Sequence, residues 1–327
     1  MRRRDFMSLV GGAAVLPVAT RAQQADATRH IGVLAGLAEN DADMIARLAG
    51  LRQGLARRGW SEGRNIRIDY RYAPAGANAQ TLAKELVASQ PDVILAHTVT
   101  IAAALQRETR TIPIVFVSLA APVGSGFITS LARPGGNMTG LMTFEPSIAG
   151  KWCSMLKEVN PRIKRAAFMA NPEIKTYEFY LRAAQTPAAA LGIELVPRPT
   201  KNVAEITNVF EEFARIPNSG LIVPPDVFTA SHGDLIIALA ARHRLPAVYA
   251  FGNLVSAGGL MSYGTDRVEE MRKAASYIDR ILRGDKPSEL PVQAPTKFET
   301  IVNLKTANAL GVKIPSGLLV AADEVIE

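Results

Sequence analysis

The sequence predicts an α/β protein of two doubly wound, parallel-sheet lobes joined by a multi-strand hinge. Three observations predict it. Short apolar runs alternate with helical patterns without interruption from His30 onward, and the alternation restarts after Ser147. A glycine-bounded, strand-like run, Gly258 to Gly264, and a proline-rich stretch, Asp285 to Pro295, then follow as separate passages. Strands alternating with helices of this length form parallel sheets with right-handed crossovers. A chain of 327 residues, 48% hydrophobic, exceeds what one compact domain usually holds.

Taken in order, His30 to Ala35 is an apolar run ending at Gly36, a buried strand. Asp41 to Arg58 carries Met44, Ile45, Leu48, Leu51 and Leu55 at helical spacing and stops at Gly59. Asn65 to Tyr72 alternates with period two, placing Ile66, Ile68 and Tyr70 on one face, as a sheet-edge strand does. Ala77 to Ser89 reads as a helix with Leu82, Leu86 and Val87 inward, Asp92 to Ala96 as a strand, and Ile101 to Thr109 as a helix. In Ile112 to Gly140 an apolar run, a Ser-Leu-Ala-Ala-Pro turn, a short helical pattern and a Gly-Gly-Asn turn predict one further βαβ unit.

Pro146, which withholds a ladder donor, marks the changeover between sheets. Beyond it come a helix at Ile148 to Val159, a strand at Arg165 to Ala170, a helix at Tyr177 to Leu191 and a strand at Ile193 to Val196. The alternation continues with Val203 to Ile216, Gly220 to Val223, Leu235 to Arg244 and Ala247 to Tyr249. Arg267 to Arg283 is a long amphipathic helix, Phe298 to Val302 a strand and Lys305 to Leu310 a short helix. The expected lobes are 28–143 with about 258–290, and 144–257 with about 291–327. Parallel connectors between them would let the lobes close on a ligand.

Residues 1–22 read as an export signal: a basic start, an apolar Gly/Ala-rich stretch and a small residue before Gln23. The Arg-Arg-Asp-Phe-Met order resembles a twin-arginine signal, which predicts a periplasmic location. The net charge of +7 contains four arginines and one aspartate from that segment, and the remaining excess is spread out. No aromatic-interleaved basic patch is present, so nucleic acid is not an expected partner. No later apolar run has the roughly 18 to 20 residues needed to span a bilayer. A single cysteine, Cys153, sits among apolar residues in a helical pattern and reads as a core residue. The histidines His30, His97, His232 and His243 show no metal-ligand spacing, and no cofactor is expected. Ser118 lacks the flanking glycines of a nucleophile elbow, so no catalytic residue is assigned.

In open α/β sheets ligands bind at the carboxyl ends of strands. That rule nominates Gly36, Leu37, His97, Thr98 and Ser118 in the first lobe and Asn171, Tyr177, Asp226 and Tyr249 in the second. Thr98 precedes a helix whose N–H groups suit a carboxylate, and it suits a plain N-cap equally. Asp226 suits a ligand ammonium or a turn; Tyr177, Tyr249 and Phe251 suit stacking on a flat ligand or core packing.

Four stretches together resemble a known family: Thr111 to Phe116; Pro122-Val123-Gly124 through Ser130-Leu131-Ala132-Arg133-Pro134-Gly135-Gly136-Asn137; Gly258 to Gly264; and Pro295 to Glu299 with Asn303 to Ala307. The chain resembles the ABC-transporter substrate-binding proteins whose characterised members bind aromatic amino acids such as tryptophan. The resemblance implies a periplasmic binding protein type I fold and a monomer that is not an enzyme. It also implies delivery of a small-molecule ligand to a membrane permease driven by a separate ATPase. A sensory protein reporting to a receptor and an α/β enzyme are the alternatives. One departure stands out: the family commonly has Asp-Pro-Val where this chain has Ala121-Pro122-Val123.

Overall fold

The computed structural model describes residues 28–143, 148–174 and 176–327. The expected export signal and the first changeover, 144–147, lie outside the described residues.

The five-stranded sheet is built from β1 (Arg29–Ala35), β2 (Ile66–Tyr72), β3 (Val93–His97), β4 (Ile114–Leu119) and β5 (Met138–Met142), in the order β2-β1-β3-β4-β5. All its neighbours run parallel. The alternating strand β2 takes the edge, as its half-wet pattern predicts. Helices α1 (Ala42–Ala56), α2 (Ala79–Ala88) and α3 (Val99–Glu108) connect the first strands. The helix expected between β4 and β5 is absent. Glycines at 124 and 126 and Pro134 favour turns there, and the chain closes on itself through Ser125 N–H to Ala121 O and Thr129 N–H to Pro134 O.

The second sheet has seven strands, β6 (Arg165–Ala170), β7 (Glu194–Pro199), β8 (Ser219–Val223), β9 (Ala247–Tyr249), β10 (Met261–Gly264), β11 (Glu299–Asn303) and β12 (Glu324–Ile326), in the order β12-β11-β10-β9-β8-β6-β7. Its helices are α4 (Ala149–Val159), α5 (Tyr177–Ala190), α6 (Val203–Ala214), α7 (Val227–Ser231), α8 (Gly233–Arg242), α9 (Gly252–Ser256), α11 (Leu304–Leu310) and α12 (Ser316–Val320). This sheet is not wholly parallel: β11 runs antiparallel to β10. β12 pairs parallel with β11, so these two strands run opposite to β6, β7, β8, β9 and β10.

Apolar residues cover both faces of both sheets. One face of the first sheet packs Val33, Leu95 and Val115 with Leu48 and Ile278; the other packs Ile94 and Phe116 with Leu86 and Leu105. In the second sheet Phe168 and Val248 pack under Trp152 and Tyr180, and Leu221 and Val223 under Phe210 and Phe213. Ile45, expected inward, is 53% exposed, because Met44, Leu48 and Leu51 already fill the inner stripe of α1.

The lobe boundary near 258 shifts. The run 261–264 is not in the first lobe, because β10 pairs with β9 and β11. The return comes directly after it, with α10 (Arg267–Leu282) packed on α1 in the first lobe. Two glycines permit that packing. A Cβ on Gly50 would stand 2.7 Å from Val268 O, and one on Gly54 would stand 2.6 Å from Arg272 O. The chain stays with the first sheet as far as Gln293, which bridges Leu141, and then crosses to β11.

Candidate functional site

The carboxyl ends of β1, β3 and β4, adjacent in the sheet, bring Gly36, Leu37, His97, Thr98 and Ser118 together. His97 is 2% exposed. Its Nδ1 accepts from Gly36 N–H at 3.1 Å, and its Nε2 stands 2.6 Å from Arg47 Nη1. It therefore ties α1 to the ends of β1 and β3. Burial, reinforced by Arg47 and Arg267, holds its pKa well below the usual histidine value, so the ring is neutral.

Backbone strain concentrates at the same end of the sheet. Thr98 has φ 87° and ψ 158°, a region that side-chain-bearing residues rarely enter, and Ser118 and Ala121 have φ 55° and 50°. Thr98 occupies the N-cap position of α3, yet its side chain makes no capping hydrogen bond. A Cβ on Gly36 would lie 2.8 Å from the Thr98 methyl, so the tight approach of these two loops requires glycine there.

Four charged residues not singled out in the sequence complete this end of the lobe. Arg47 is 3% exposed and donates through Nη2 to Asp43 Oδ2 at 2.6 Å. The same carboxylate oxygen takes Arg267 Nη1 at 3.1 Å. Burial alone would raise the Asp43 pKa, but Arg47 and Arg267 outweigh it and the carboxyl is held below its ordinary value. Glu270, near the start of α10, accepts from Ser118 N–H at 2.9 Å and from the Thr143 hydroxyl at 2.6 Å. Burial raises its pKa, and these donors act in the opposite sense. A signal for both existed: Arg47 interrupts the inner stripe of α1 between Met44, Leu48 and Leu51, and Glu270 sits one turn before Ala274 and two before Tyr277.

In the second lobe Asn171 follows β6 and Asp226 follows β8. Asp226 is 4% exposed; its Oδ1 takes Phe228 N–H at 2.8 Å and its Oδ2 takes Asn171 N–H at 2.6 Å. It thus caps α7 and ties two strand ends together, and burial raises its pKa against those hydrogen bonds. Tyr177 packs edge-on to Phe168 with ring centroids 6.1 Å apart and is buried in the core. Tyr249 is 1% exposed, packed over Gly259 inside the lobe. Of the three aromatics nominated for stacking, Phe251 is the half-exposed one, and Arg267 lies over its ring at 4.0 Å. Cys153 is buried, and burial pushes its thiol up to about 11. Among the described residues no cluster of histidine, cysteine and acidic side chains is arranged to hold a metal, and no helix is long and apolar enough to cross a membrane.

Residues 30–326 match the family model described as ABC transporter substrate binding protein. The chain is 25% identical over 262 residues to the tyrosine-binding protein of Clostridioides difficile, covering 80% of this chain and 75% of that one. A solved conserved domain protein from Vibrio cholerae is 28% identical, superposes with TM-score 0.83 and covers 91% of this chain and 99% of its own. The ABC domain from Streptococcus pneumonia in complex with L-Trp is 23% identical, with TM-score 0.84 over 92% of this chain and 100% of that one.

Proposed function

We propose that this chain, which belongs to the ABC transporter substrate-binding protein family, captures a small solute, an amino acid or an aromatic or carboxylate-bearing compound, between its lobes and delivers it to a membrane permease. The observation that carries this reading is the family match across residues 30–326. The names of the relatives support the ligand class, since one is a tyrosine-binding protein and another was solved with L-Trp. A separate ATPase would drive the permease, and the chain would act outside the cytoplasm as a monomer after export by the twin-arginine route.

Within the cleft, the carboxylate of such a ligand is assigned to the start of α3. Thr98 leaves that helix without a side-chain cap, and N–H groups at a helix start favour an anion. Gly36 and Leu37 line the neighbouring loop, and Ser118 the next strand end. Asn171, which follows β6, is the contact assigned to the second lobe. Asp226 is better suited to holding the β6 and β8 loops, because each of its oxygens already accepts a backbone N–H. Binding would shift the population toward closed lobes because the ligand touches both.

A thermal-shift screen of the processed chain against the common amino acids and aromatic carboxylates tests this. Stabilisation by an aromatic member, with the ligand recovered unchanged, is the expected result. Consumption of the ligand would overturn it.

A further inference from the structure

Arg267 stands three residues after β10, where the chain leaves the seven-stranded sheet and starts α10 on the five-stranded lobe. Its guanidinium faces both lobes. On the first-lobe side, Nη1 meets Asp43 Oδ2 at 3.1 Å. On the second-lobe side, Nη2 donates to Asn253 Oδ1 of α9, and the guanidinium carbon lies 4.0 Å from the centre of the Phe251 ring, at the end of β9. The side chain is 11% exposed, so water does little to screen these contacts.

We propose that Arg267 is an interlobe strut, a positioning residue that holds the cleft toward its closed arrangement in the absence of ligand. Opening carries Asn253 and Phe251 away with the seven-stranded sheet, while Asp43 stays on α1. Arg267 must then give up either its ion pair or its amide and aromatic contacts. Only a planar, multi-donor cation satisfies a carboxylate, an amide oxygen and a ring face together; lysine offers a point charge instead. Asp43 anchors the strut, since it also pairs with Arg47 and fixes the position of the shared negative charge. The proposal uses the two-lobed reading but assumes nothing about the ligand.

The test is a distance measurement on the ligand-free full chain. Spin labels are placed on cysteines introduced at the exposed positions Lys84 in the first lobe and Glu211 in the second, with buried Cys153 left in place. Electron-electron double resonance then reads the interlobe distance distribution. Arg267→Ala is expected to shift the distribution to longer distances, with the closed-to-open ratio falling about tenfold for loss of a desolvated cation–π contact and its ion pair. Arg267→Lys is expected to give a smaller shift. Should Arg267→Ala fail to fold, Asn253→Ala at an exposed position removes the second-lobe acceptor and is expected to shift the distribution the same way. Distributions for the folded variants that superimpose on the wild type would overturn the strut. Because no ligand is present, that outcome leaves the capture reading untouched.

Discussion

Arg47 Nη1 lies 2.6 Å from His97 Nε2 while Gly36 N–H lies 3.1 Å from His97 Nδ1, so a buried imidazole has a donor on each side. A neutral ring accepts at one nitrogen only, so one of these two contacts is a hydrogen bond and the other is not. The ring is also the link between α1, the β1 loop and the strained end of β3, which makes His97 a structural keystone at the mouth of the first lobe.

His97 should therefore contribute to acid sensitivity. Its pKa is lowered in the fold from an ordinary value of 6.5 by burial and by Arg47 and Arg267. The unfolded chain takes up a proton that the folded chain refuses, so the contribution is fully present above about pH 6.5 and is lost as pH falls. Urea unfolding between pH 7.5 and 5 should show declining stability. His97→Gln should flatten that decline and cost about 1–3 kcal/mol at pH 7.5 through the hydrogen bond it weakens.

Glu270 has the opposite sign. Burial raises its pKa above the ordinary 4.5, so its contribution is present below that value and fades as pH rises through the folded pKa. Glu270→Gln keeps an acceptor for Ser118 N–H and the Thr143 hydroxyl and should stay within about 1 kcal/mol of wild type at pH 7, with a flatter stability profile. Glu270→Ala leaves both donors unpaired and should cost about 2–4 kcal/mol. Chemical denaturation of the two variants separates these outcomes.

The α1–α10 contact predicts a steric result. Gly54→Ala places a methyl 2.6 Å from Arg272 O and 2.7 Å from the Ala275 Cβ, and neither neighbour is the flexible end of a side chain. The helices must separate, at a cost of about 1–3 kcal/mol. Thermal unfolding should register a clear fall in melting temperature.

Ala121 predicts a gain. At φ 50° it pays the left-handed penalty without the side-chain amide that eases it. Ala121→Asn should raise stability by up to about 1 kcal/mol in the same melting assay.

The layered α/β fold was legible because buried parallel strands leave apolar runs and their helices leave a 3.6-residue stripe. The edge position of β2 was legible from its period of two. The strand-end rule located Gly36, Thr98 and Ser118 beside one another. The missing helix after β4 was misread because Phe127 and Ile128 are buried by a turn-closed loop, and apolar spacing alone cannot distinguish that from one helical turn. Tyr249 was nominated by position, but a strand end can still lie under α9 and Gly259. Arg47 and Glu270 leave no local signal beyond a charge within an apolar stripe, which an exposed residue at the stripe's edge also leaves. Arg267 and Asn253 come together only through the order β8-β9-β10 and the departure of α10, which no local pattern encodes.

Capture of an aromatic amino acid or related carboxylate between the lobes is tested by isothermal titration calorimetry. The processed chain and its Thr98→Pro variant are each titrated with L-tyrosine and L-tryptophan. One-to-one binding of at least one of the two by the wild type is expected, with its loss or strong weakening in the variant, whose fixed φ cannot take the conformation that opens α3 to an anion. Equal binding by a folded Thr98→Pro chain would contradict the assigned anchor, and no binding of either amino acid by the wild type would contradict capture of an aromatic amino acid.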